Sequence, residues 1–408
     1  MKAPSHPGTL LIVAECEHWR QGGRTFAPSH FVREIELWAS MFPRVVLFTR
    51  FPPGPRVPQA VPYQAPNVRF RKGNGALAPG GCERLKSLGR SALLIPGLFL
   101  AYARADFVHV RCPTRNGLFA LLLQRFFRKP CYVKWAANWE LDANSPRTSH
   151  WQKHLIRSNP GPTVATVYHR LPDDPAHVHP VDTASLSRDE LEACLGRPRA
   201  AAKDDRKHLV WVGRFSPNKN ADGLFDAFRA AVAQHGHAHL DLVGDGPRRE
   251  ALAQRVKAAG LENRVTFHGH LAWERLSEVY ASAYLNLLPS YSEGFPKVVH
   301  EAAAFGVPSV VFAVGALPRI VEGRGVVVSE VGNMSAYAEA IGLLLADEQR
   351  WQTLSRQARH WAAGLCIEDV VDRLRRLLEA AWRVTLPRPG FRGPAEDQNQ
   401  THRIDGGG

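Results

Sequence analysis

The 408-residue sequence predicts an α/β protein of two domains, each a parallel sheet covered by helices on both faces. Apolar, strand-like runs alternate with segments of helical period in both halves of the chain. Alternation of this kind forms parallel sheets with helices on the two faces. The length suits two domains, and a composition of 45% apolar and 22% charged residues is ordinary for a globular protein.

The alternation is clearest between Lys207 and Gly306. Four strands are predicted there, at 208–212, 240–243, 264–267 and 283–288, and helices are predicted at 221–233 and 248–259. Ligands of such sheets bind outside the carboxyl ends of the strands. We therefore expect one crevice to be bordered by the glycines of the turns after these strands: Gly213, Gly244, Gly269 and Gly294.

Two carboxylates, Glu293 and Glu301, stand eight residues apart across a predicted loop-to-helix junction. Gly294 and Pro296 suit a tight turn and the first helical position, which leaves backbone N–H groups near 297–299 free to point at a phosphate. Glu301, one turn into the helix, can accept two hydrogen bonds from a ribose diol, and Glu293 can reach hydroxyls carried by the diphosphate. The pattern suits a nucleotide-sugar. The alternative is a pair of solvated surface glutamates.

Two cations, Arg214 and Lys219, follow the first strand of this half, just before a helix. Arginine offers a fork that matches phosphate oxygens and lysine acts as a point charge, so together they can clamp a diphosphate leaving group. The alternative is an ordinary basic loop. The nearby turn Gly244-Asp-Gly-Pro247 is a weaker signal, because it mainly supplies positive φ angles and a helix start.

These segments, in this order, resemble the group 1 (family-four) retaining glycosyltransferases of the GT-B fold. The resemblance covers about 207–345 and rests on segments at 212–219, 242–247, 265–269, 293–301, 301–308 and 314–322. It implies two Rossmann-like domains facing a central cleft, with helices at the C-terminus. It also implies transfer of a sugar from a nucleotide-diphosphate-sugar to a hydroxyl acceptor, with retention of the anomeric configuration.

The resemblance also implies roles for residues of this sequence. Glu293, Arg214 and Lys219 are the candidate catalytic residues, with Glu293 contacting the donor sugar and the two cations clamping the diphosphate. Glu301 is the candidate ribose ligand, and base contacts are expected around 268–271. One departure is Arg319, which stands where the family often has an acidic residue. The full set of candidate donor-binding residues is Gly213, Gly244, His270, Gly294, Phe295, Pro296, Lys297, Val298 and Glu301.

The first half is expected to be the other Rossmann-like domain. Strands are predicted at 9–13, 44–49, 106–110 and 131–135, and a helix at 28–41. Gly22 and Gly23 resemble the glycine loop that the family places between the first strand and helix, facing the cleft. Asn138 and Trp139 follow a strand end and are the candidate acceptor or cleft residues. His109 lies inside a strand, where a structural role is favoured over a ligand role.

The predicted domain boundaries are 1–185 for the acceptor domain, 186–206 for a linker without sheet patterning, and 207–385 for the nucleotide-sugar-binding domain. The final helical tract, 334–382, carries large apolar residues at helical spacing, which favours packing. The segment 386–408 is rich in Pro, Gly and polar residues, and we expect it to be a disordered tail.

Positive charge is concentrated in the first half. The stretch 41–134 holds 16 Lys and Arg against two acids, an excess equal to the net charge of +14 for the whole chain. Such a surface favours anionic lipid head groups, each cation contributing about 1 kcal/mol. Apolar stretches at 91–101 and 118–127 are too short to span a bilayer; they suit an interface, although an ordinary core helix is favoured for the second. No nucleic-acid reader motif supports RNA or DNA as the partner.

Cysteines and histidines give no metal motif. The six cysteines show no CxxC spacing and are interpreted as reduced thiols of a cytoplasmic protein, and the N-terminus does not read as a signal peptide. Histidines at 177–179 and 235–239 are interpreted as incidental surface residues of a linker and a loop. We expect no tightly bound cofactor and no metal ligands, with a UDP- or GDP-sugar as co-substrate.

The sequence therefore favours a cytoplasmic glycosyltransferase, peripheral on the inner face of the cell membrane, that builds a bacterial polysaccharide or glycolipid on a lipid-linked or saccharide acceptor. A second hypothesis keeps the fold but changes the reaction to nucleotide-sugar epimerisation or hydrolysis. A third is a non-catalytic basic module that binds membrane or RNA and keeps a vestigial nucleotide pocket.

Overall fold

The computed structural model describes residues 7–57, 60–73, 95–142, 145–159, 161–197 and 206–390. Within these ranges the chain builds two α/β units, each on its own parallel sheet, with a small antiparallel sheet beside the first. The α/β fold class predicted from the sequence is confirmed.

The first sheet has seven parallel strands with β1 near its middle, in the order β10-β9-β8-β7-β1-β4-β6. Leu10 and Ile12 of β1 face one apolar cluster and Leu11 and Val13 face another, as expected for a strand covered on both sides. In chain order the strands of this half are β1 (Thr9–Glu17), β2 (Trp19–Gln21), β3 (Arg24–Pro28), β4 (Arg44–Arg50), β5 (Ala60–Pro62), β6 (Val68–Lys72), β7 (Phe107–Cys112), β8 (Cys131–Trp135), β9 (Thr163–Val167) and β10 (Val178–Pro180).

The glycine pair Gly22-Gly23 lies at the tip of the β2–β3 hairpin, between Gln21 and Arg24, which are paired across the turn. Both glycines have positive φ, 55° and 73°, as a two-residue hairpin turn requires. The sequence placed the pair in a loop leading from the first strand to the helix. The pair does lie between the first strand and the first helix, but inside a hairpin whose second strand pairs with β5.

Among the described residues of this half there are four helices: α1 (Ser29–Met41), α2 (95–104), α3 (Arg115–Phe127) and α4 (Arg147–Arg157). The side chain of Thr114 caps α3 by accepting a hydrogen bond from the amide of Gly117 at 2.9 Å. The helix ends at Arg128, whose φ of 50° turns the chain out of the helix.

The second sheet has six parallel strands in the order β13-β12-β11-β14-β15-β16. Its predicted strands are confirmed, with small shifts at their ends. The bounds are β11 (Lys207–Val212), β12 (Ala238–Val243), β13 (Val265–Gly269), β14 (Ala283–Leu288), β15 (Ser309–Phe312) and β16 (Gly325–Val328).

The segment predicted as a linker contains a helix, α5 (Arg188–Gly196), and β10 lies within the stretch just before it. Ser187 and Glu190 form a reciprocal capping box at the start of α5. Leu191 and Cys194 pack into the core beside the second sheet. The linker expected at 186–206 therefore contains one capped helix, at residues 188–196, whose apolar side packs beside the second sheet.

The remaining helices cover the second sheet, except for the last, whose apolar side packs on the first sheet. They are α6 (Ala221–Gln234), α7 (Arg249–Ala258), α8 (Trp273–Ser282), α9 (Lys297–Ala304), α10 (Leu317–Val321), α11 (Met334–Ala346), α12 (Glu348–Ala363) and α13 (Ile367–Trp382). Short 3-10 turns occur at Pro217–Lys219 and Glu262–Arg264. No described helix is long and apolar enough to cross a membrane.

Helix α13 joins the two units at the end of the described chain. Leu378 and Trp382 are buried in the core of the first sheet, and the indole N–H of Trp382 donates to the carbonyl of Pro162 at 3.1 Å. The sequence grouped this helix with the second domain. Leu386, expected in a disordered tail, is also buried in that core, and its amide donates a hydrogen bond to Glu379 at 2.8 Å. Residues 391–408 lie outside the described residues.

Candidate active site in the interdomain cleft

A cavity of about 320 Å³ lies between the two units. On the side of the first unit, helix α1 and the ends of β8 and β9 form its wall. The other walls come from α9, the segment 181–186 and α13. The polar side chains that line this cavity are Ser29, His30, Arg33, Glu34, Lys134, Thr166, Tyr168, Asp182, Thr183, Ser185, Glu190, Lys297 and Glu301.

The loop that carries Glu293 connects β14 to α9 and is fixed by the turn at Pro217–Lys219. The amide of Tyr291 donates to the carbonyl of Asn218 at 2.9 Å, and the Asn218 side chain donates to the carbonyl of Ser292 at 2.9 Å. The two loops predicted to bind the donor are therefore side by side, although Lys219 and Glu293 are 74 residues apart in the sequence.

Lys219 donates directly to the carboxylate of Glu293. The exposed fractions of the two side chains are 24% and 10%, so the pair is half-buried. Arg214, the second predicted cation, is exposed after β11. A phosphate arriving beside Lys219 would share this ammonium with Glu293, which connects the predicted diphosphate clamp with the predicted sugar contact.

The glycine turns after β11, β12 and β13 meet as predicted. The amide of Gly213 donates to Val243 and that of Gly244 donates to Gly269, at 3.0 and 2.8 Å. A Cβ on Gly244, whose φ is 124°, would stand 1.9 Å from the carbonyl oxygen of Gly213. A side chain is therefore excluded at Gly244, and the turn presents bare backbone at this position.

Helix α9 starts at Lys297, one residue later than expected, with Pro296 as the preceding cap residue. The amide of Val299 donates to the carbonyl of Pro296 at 3.1 Å. Of the three amides predicted to face a phosphate, that of Val299 is thus already paired, which corrects the sequence analysis. The amides of Lys297 and Val298 are the two at the helix start that suit an anion.

Glu301 lies one turn into α9 and lines the cavity together with Lys297. The phenol of Tyr280 donates to its carboxylate at 3.3 Å. Burial raises the pKa of Glu301, opposed by the neighbouring Ser185 hydroxyl, by the charge of Lys297 and by the hydrogen bond from Tyr280. Burial likewise lowers the pKa of Lys297. A half-shielded carboxylate beside a cation can bind a diol tightly, because few water molecules compete for it.

Gly294 and Phe295 bring the glutamate loop against the first unit. The rings of Phe295 and Tyr168 lie 5.7 Å apart, and a Cβ on Gly294 would stand 2.8 Å from Cε2 of Tyr168 and 3.4 Å from the carbonyl oxygen of Ala136. The loop requires glycine at this point because the two units approach so closely.

Gly294→Ala is expected to lower kcat/KM about 5- to 100-fold, since overpacking costs about 1–3 kcal/mol and the strain falls on the closed cleft. Steady-state kinetics measures the change. Gly236→Ala is the matched control, because Gly236 lies on an open loop with nothing near its Cβ position. Combining Gly294→Ala with Tyr168→Leu should recover part of the loss. A lone Gly294→Ala with unchanged kinetics would contradict the close approach.

Arg319, which departs from the family pattern, also contacts the opposite side of the cleft. Its guanidinium forms an ion pair with Asp182 and donates to the carbonyl of Tyr168 at 3.1 Å. Arg33 of α1 pairs with Glu190 of α5 at 2.7 Å. The basic residue at 319 therefore has a structural role between the two units, which single-sequence reasoning left in doubt.

The candidate acceptor residues Asn138 and Trp139 are not in the cavity wall. Trp139 is buried, its indole N–H donates to Asp174 at 2.8 Å, and its ring packs edge-on against Trp135. Asn138 accepts a hydrogen bond from the amide of Glu140 at 3.2 Å and is half-buried. The prediction is wrong for Trp139, because its large apolar ring is used for packing. Gly22 and Gly23 do not line the cavity either.

A charged cluster that was not predicted from the sequence lies at the cavity wall of the first unit. Glu34 of α1 accepts hydrogen bonds from Arg111 at the end of β7 and from Lys134 at the end of β8, the latter at 3.0 Å. Burial alone would raise the pKa of Glu34, but the two cations hold it well below its usual value. Burial lowers the pKa of Lys134 to about 8. In the sequence, Arg111 and Lys134 each stand at the end of a strand, which could have indicated a charged site. No short motif connects these two cations to Glu34.

Of the three histidines His109, His239 and His270, the first two are buried and the third is exposed. His109 is fully buried between the rings of Trp38 and Tyr132, at 4.9 and 4.6 Å, and burial lowers its pKa well below the usual value. His270 is exposed just after β13, beside the glycine turns. His239, interpreted as a surface residue of a loop, is instead buried in β12.

The model of the family described as glycosyl transferases group 1 matches residues 196–361. These residues belong to that family. The match contains both glutamates and both cations of the cleft, so the resemblance drawn from the motifs is confirmed.

Individual relatives agree with this assignment. The chain is 35% identical over 216 residues to a D-inositol 3-phosphate glycosyltransferase of Mycolicibacterium smegmatis, covering 50% of this chain and 47% of that protein. It is 33% identical over 157 residues to an N-acetyl-alpha-D-glucosaminyl L-malate synthase of Bacillus anthracis, covering 38% of this chain and 40% of that protein. The chain thus spans about half the length of such relatives or less.

Solved structures agree over most of the chain. A sucrose-phosphate synthase of Thermosynechococcus elongatus superposes with a TM-score of 0.65 at 22% identity, covering 91% of this chain and 99% of that one. The Anabaena protein HepE, in a complex with UDP and glucose, gives a TM-score of 0.64 at 18% identity with the same coverage. At such identities the likeness concerns the fold, and the two-domain GT-B architecture expected from the sequence is confirmed.

Proposed function

We propose that this protein is a glycosyltransferase that moves a sugar from a nucleotide-diphosphate-sugar to a hydroxyl acceptor in the interdomain cleft. The observation that carries the proposal is the contact of Lys219 with Glu293 on the loop that leads into α9, the helix whose Lys297 and Glu301 line the cleft. Group 1 family membership of residues 196–361 supports it independently.

Each side chain has a distinct task in this proposal. Lys219 and Arg214 neutralise the charge that develops on the diphosphate as the bond to the sugar breaks. Glu301 accepts hydrogen bonds from the ribose hydroxyls, and Glu293 accepts them from the donor sugar. The amides of Lys297 and Val298 add two donors for a phosphate oxygen.

We propose retention of configuration, as the family resemblance implies. The acceptor oxygen forms its bond to the anomeric carbon on the face that the diphosphate leaves. The electron pair of the breaking C–O bond stays with the diphosphate, which also takes the proton of the acceptor hydroxyl. The products are the glycoside and the nucleoside diphosphate, and the task of the protein is to position both substrates and exclude water.

The donor base is proposed to be uracil in preference to guanine. The Anabaena protein HepE, which shares the fold, is described in complex with UDP and glucose, and a pneumococcal O-GlcNAc transferase with UDP and GlcNAc. In this chain the exposed His270 follows the glycine turns at the end of β13, where base contacts were expected. The acceptor is proposed to be a saccharide or lipid-linked hydroxyl of bacterial polysaccharide or glycolipid synthesis.

The acceptor half is proposed to rest on an anionic membrane at the inner face of the cell membrane. Helices α2, α3 and α4 expose six large apolar side chains, with Phe126 77% and Trp151 69% exposed. Phe99 of α2 packs 5.3 Å from Phe127 of α3, and Arg125 of α3 donates to Ser158 after α4, so the helices are neighbours. The six residues are Ile95, Phe99, Leu100, Leu122, Phe126 and Trp151.

This apolar surface carries cations within it. Arg104, Arg125, Arg128 and Arg147 are exposed on or beside the same three helices. Apolar side chains that insert between head groups and cations that attract anionic lipid act together at an interface. Helix α3 was interpreted as an ordinary core helix; only its inner side, with Ala120 and Leu121, is buried. The residues at 91–94 of the other apolar stretch lie outside the described residues.

The variant Leu122→Ser with Phe126→Ser should reduce binding to vesicles of equimolar phosphatidylcholine and phosphatidylglycerol about tenfold or more, because burying each side chain is worth about 1.5–3 kcal/mol. Co-sedimentation measures bound protein, and high salt should weaken the wild type through screening. Leu343→Ser, at an exposed leucine of α11, is the matched control. Equal binding of all three proteins would exclude this surface as the contact.

An assay of sugar-nucleotide turnover distinguishes glycosyl transfer from hydrolysis or epimerisation and from a non-catalytic module. The protein is incubated with UDP-glucose, UDP-GlcNAc and GDP-mannose, with and without a lipid-linked saccharide fraction, and sugar products are analysed. Acceptor-dependent release of nucleoside diphosphate with a new glycoside supports transfer. Free sugar or an isomerised donor without acceptor would favour a hydrolase or an epimerase. No turnover, with lipid or RNA binding that survives Lys219→Ala and Glu293→Ala, would favour the non-catalytic module.

A further inference from the structure

Away from the cleft, three neighbouring strands of the second sheet direct four metal-ligating side chains to one place. His208 of β11 and His239 of β12 are register partners, and Asp241 of β12 is the register partner of Thr266 of β13. Side chains two residues apart in a strand share a face, so His208, His239 and Asp241 lie on one face of the sheet with His268 of β13.

The polar atoms of this cluster are close together. His208 Nδ1 and His268 Nε2 each lie 2.7 Å from an oxygen of Asp241, and His239 Nε2 lies 4.0 Å from the same carboxylate. Ligand atoms of His208, His239 and Asp241 all lie within 4.8 Å of one another. The same Nε2 of His239 also contacts the Thr266 hydroxyl at 2.8 Å, so a metal bound at this nitrogen would replace that hydrogen bond.

We infer that His208, His239 and Asp241 form a binding site for a divalent transition metal ion of the zinc class, with His268 holding the carboxylate of Asp241 from the other side. Imidazole and carboxylate donors suit Zn²⁺, whereas Mg²⁺ and Ca²⁺ prefer sites made of oxygen alone. Two ligands of a tetrahedral Zn²⁺ stand about 3.4 Å apart for bonds of about 2.1 Å. The observed separations of 2.7 and 4.0 Å lie on either side of that value, so small side-chain rotations close the site.

The charge of the cluster suits a cation. Asp241 supplies a carboxylate beside three imidazoles, and its two oxygens lie within hydrogen-bond distance of His208 and His268. Neutral imidazoles coordinate without losing a proton, since each ring proton can stay on the nitrogen that faces away from the metal. The side chains of His208 and His268 are 14% and 25% exposed, which leaves a path for the ion from the edge of the sheet.

A metal bound at this site would stabilise the second sheet without contacting the substrates in the cleft. His268 stands directly before Gly269 and His270, where β13 ends beside the proposed base pocket. A metal that fixes β11, β12 and β13 to one another would hold this strand end in place. The inference does not rest on the proposed glycosyl transfer, and metal binding is measured without any substrate.

The test uses the full chain without an affinity tag of histidines, treated with EDTA and desalted. Calorimetric titration with ZnCl₂ should give one equivalent bound with a Kd of about 1 µM or tighter, and Co²⁺ should give the absorption of a four-coordinate site. His239→Gln and Asp241→Asn should each weaken Zn²⁺ binding at least about tenfold. The thermal midpoint should rise with Zn²⁺ in the wild type and stay unchanged in these variants.

The matched control is His237→Gln, which removes an exposed histidine two residues before His239 and should bind Zn²⁺ as the wild type does. Circular dichroism without metal confirms that each variant is folded. If a variant does not fold, the Co²⁺ spectrum and stoichiometry of the wild type against His237→Gln decide the question. Absence of binding in the wild type, or an equal loss in His237→Gln, would overturn the inference and leave a hydrogen-bonded network.

Discussion

Lys219→Ala is expected to lower kcat about 100- to 1000-fold, the range found when one preorganised group that stabilises developing charge is removed. Lys219 is the half-buried cation next to the glutamate loop, and its ammonium contacts Glu293 directly. Its removal deprives the leaving diphosphate of a positive charge and leaves Glu293 without its partner. The effect should appear mainly in kcat, because the charge on the diphosphate grows as the bond breaks.

Two variants give this experiment its controls. Lys219→Arg keeps the positive charge but replaces the compact ammonium with a planar guanidinium, so its kcat should lie between those of Lys219→Ala and the wild type. Lys257→Ala removes an exposed lysine of α7 and should leave kinetics unchanged. Thermal unfolding of Lys219→Ala should shift little, because half-exposed ion pairs contribute only about 0–1 kcal/mol. Wild-type kcat in Lys219→Ala would show that this lysine does not act on the leaving group.

Glu301→Gln is expected to raise the KM for the donor about 10- to 150-fold with a smaller effect on kcat. Hydrogen bonds to a charged group are worth about 1.5–3 kcal/mol, and the neutral amide loses that charge while keeping the shape of the side chain. Tyr280 can still donate to the amide oxygen, so folding should be preserved. Initial-rate kinetics over a range of donor concentrations separates KM from kcat.

The pH dependence of donor binding provides a second measurement on Glu301. Because burial raises the pKa of this carboxyl, its proton returns at a higher pH than that of an exposed glutamate. Donor affinity should therefore fall as the pH is lowered through that raised pKa, and the Glu301→Gln variant should lack this acid limb. Glu322→Gln, at an exposed glutamate of the same unit, should behave as the wild type. An unchanged KM in Glu301→Gln would exclude the ribose contact.

The donor side of the cleft was predictable because its signals are local. A strand, a glycine turn and a helix start follow one another within a few residues, so Gly213, Gly244 and Gly269 could be placed at one sheet edge from spacing alone. Glu293 and Glu301 were fixed in the same way by the turn and helix between them. Only the start of α9 was misplaced, by one residue, with Pro296 outside the helix.

The acceptor side was not predictable from local patterns. Glu34, Arg111 and Lys134 meet only because β7, β8 and α1 pack together, and the residue separations between Glu34 and its partners are 77 and 100. Trp139 was misjudged for a related reason: a residue after a strand can turn inward to the core or outward to the cleft. Its partner in the core, Asp174, lies 35 residues away and carries no motif.

The same limit applies to contacts between the two units. The pairing of Arg319 with Asp182 connects residues 137 positions apart, and the fit of Gly294 against Tyr168 depends on the closed arrangement of the units. The apolar stripe of helix α13 predicts that the helix packs on a sheet. It does not predict which of the two sheets the helix packs on. Local chemistry therefore predicted the donor pocket, while the acceptor wall and the closure contacts required three-dimensional information.

Calorimetric titration of UDP and UMP into the wild type, Lys219→Ala and Glu301→Gln tests the central claim most directly. A nucleotide held by its diphosphate and its ribose should bind at least about tenfold more weakly as UMP than as UDP, since one charge-assisted contact is worth about 1.5–3 kcal/mol. Lys219→Ala should remove that difference, and Glu301→Gln should weaken both nucleotides alike. If UDP does not bind, or if UDP and UMP bind equally to the wild type, the cleft is not the uridine diphosphate site described here.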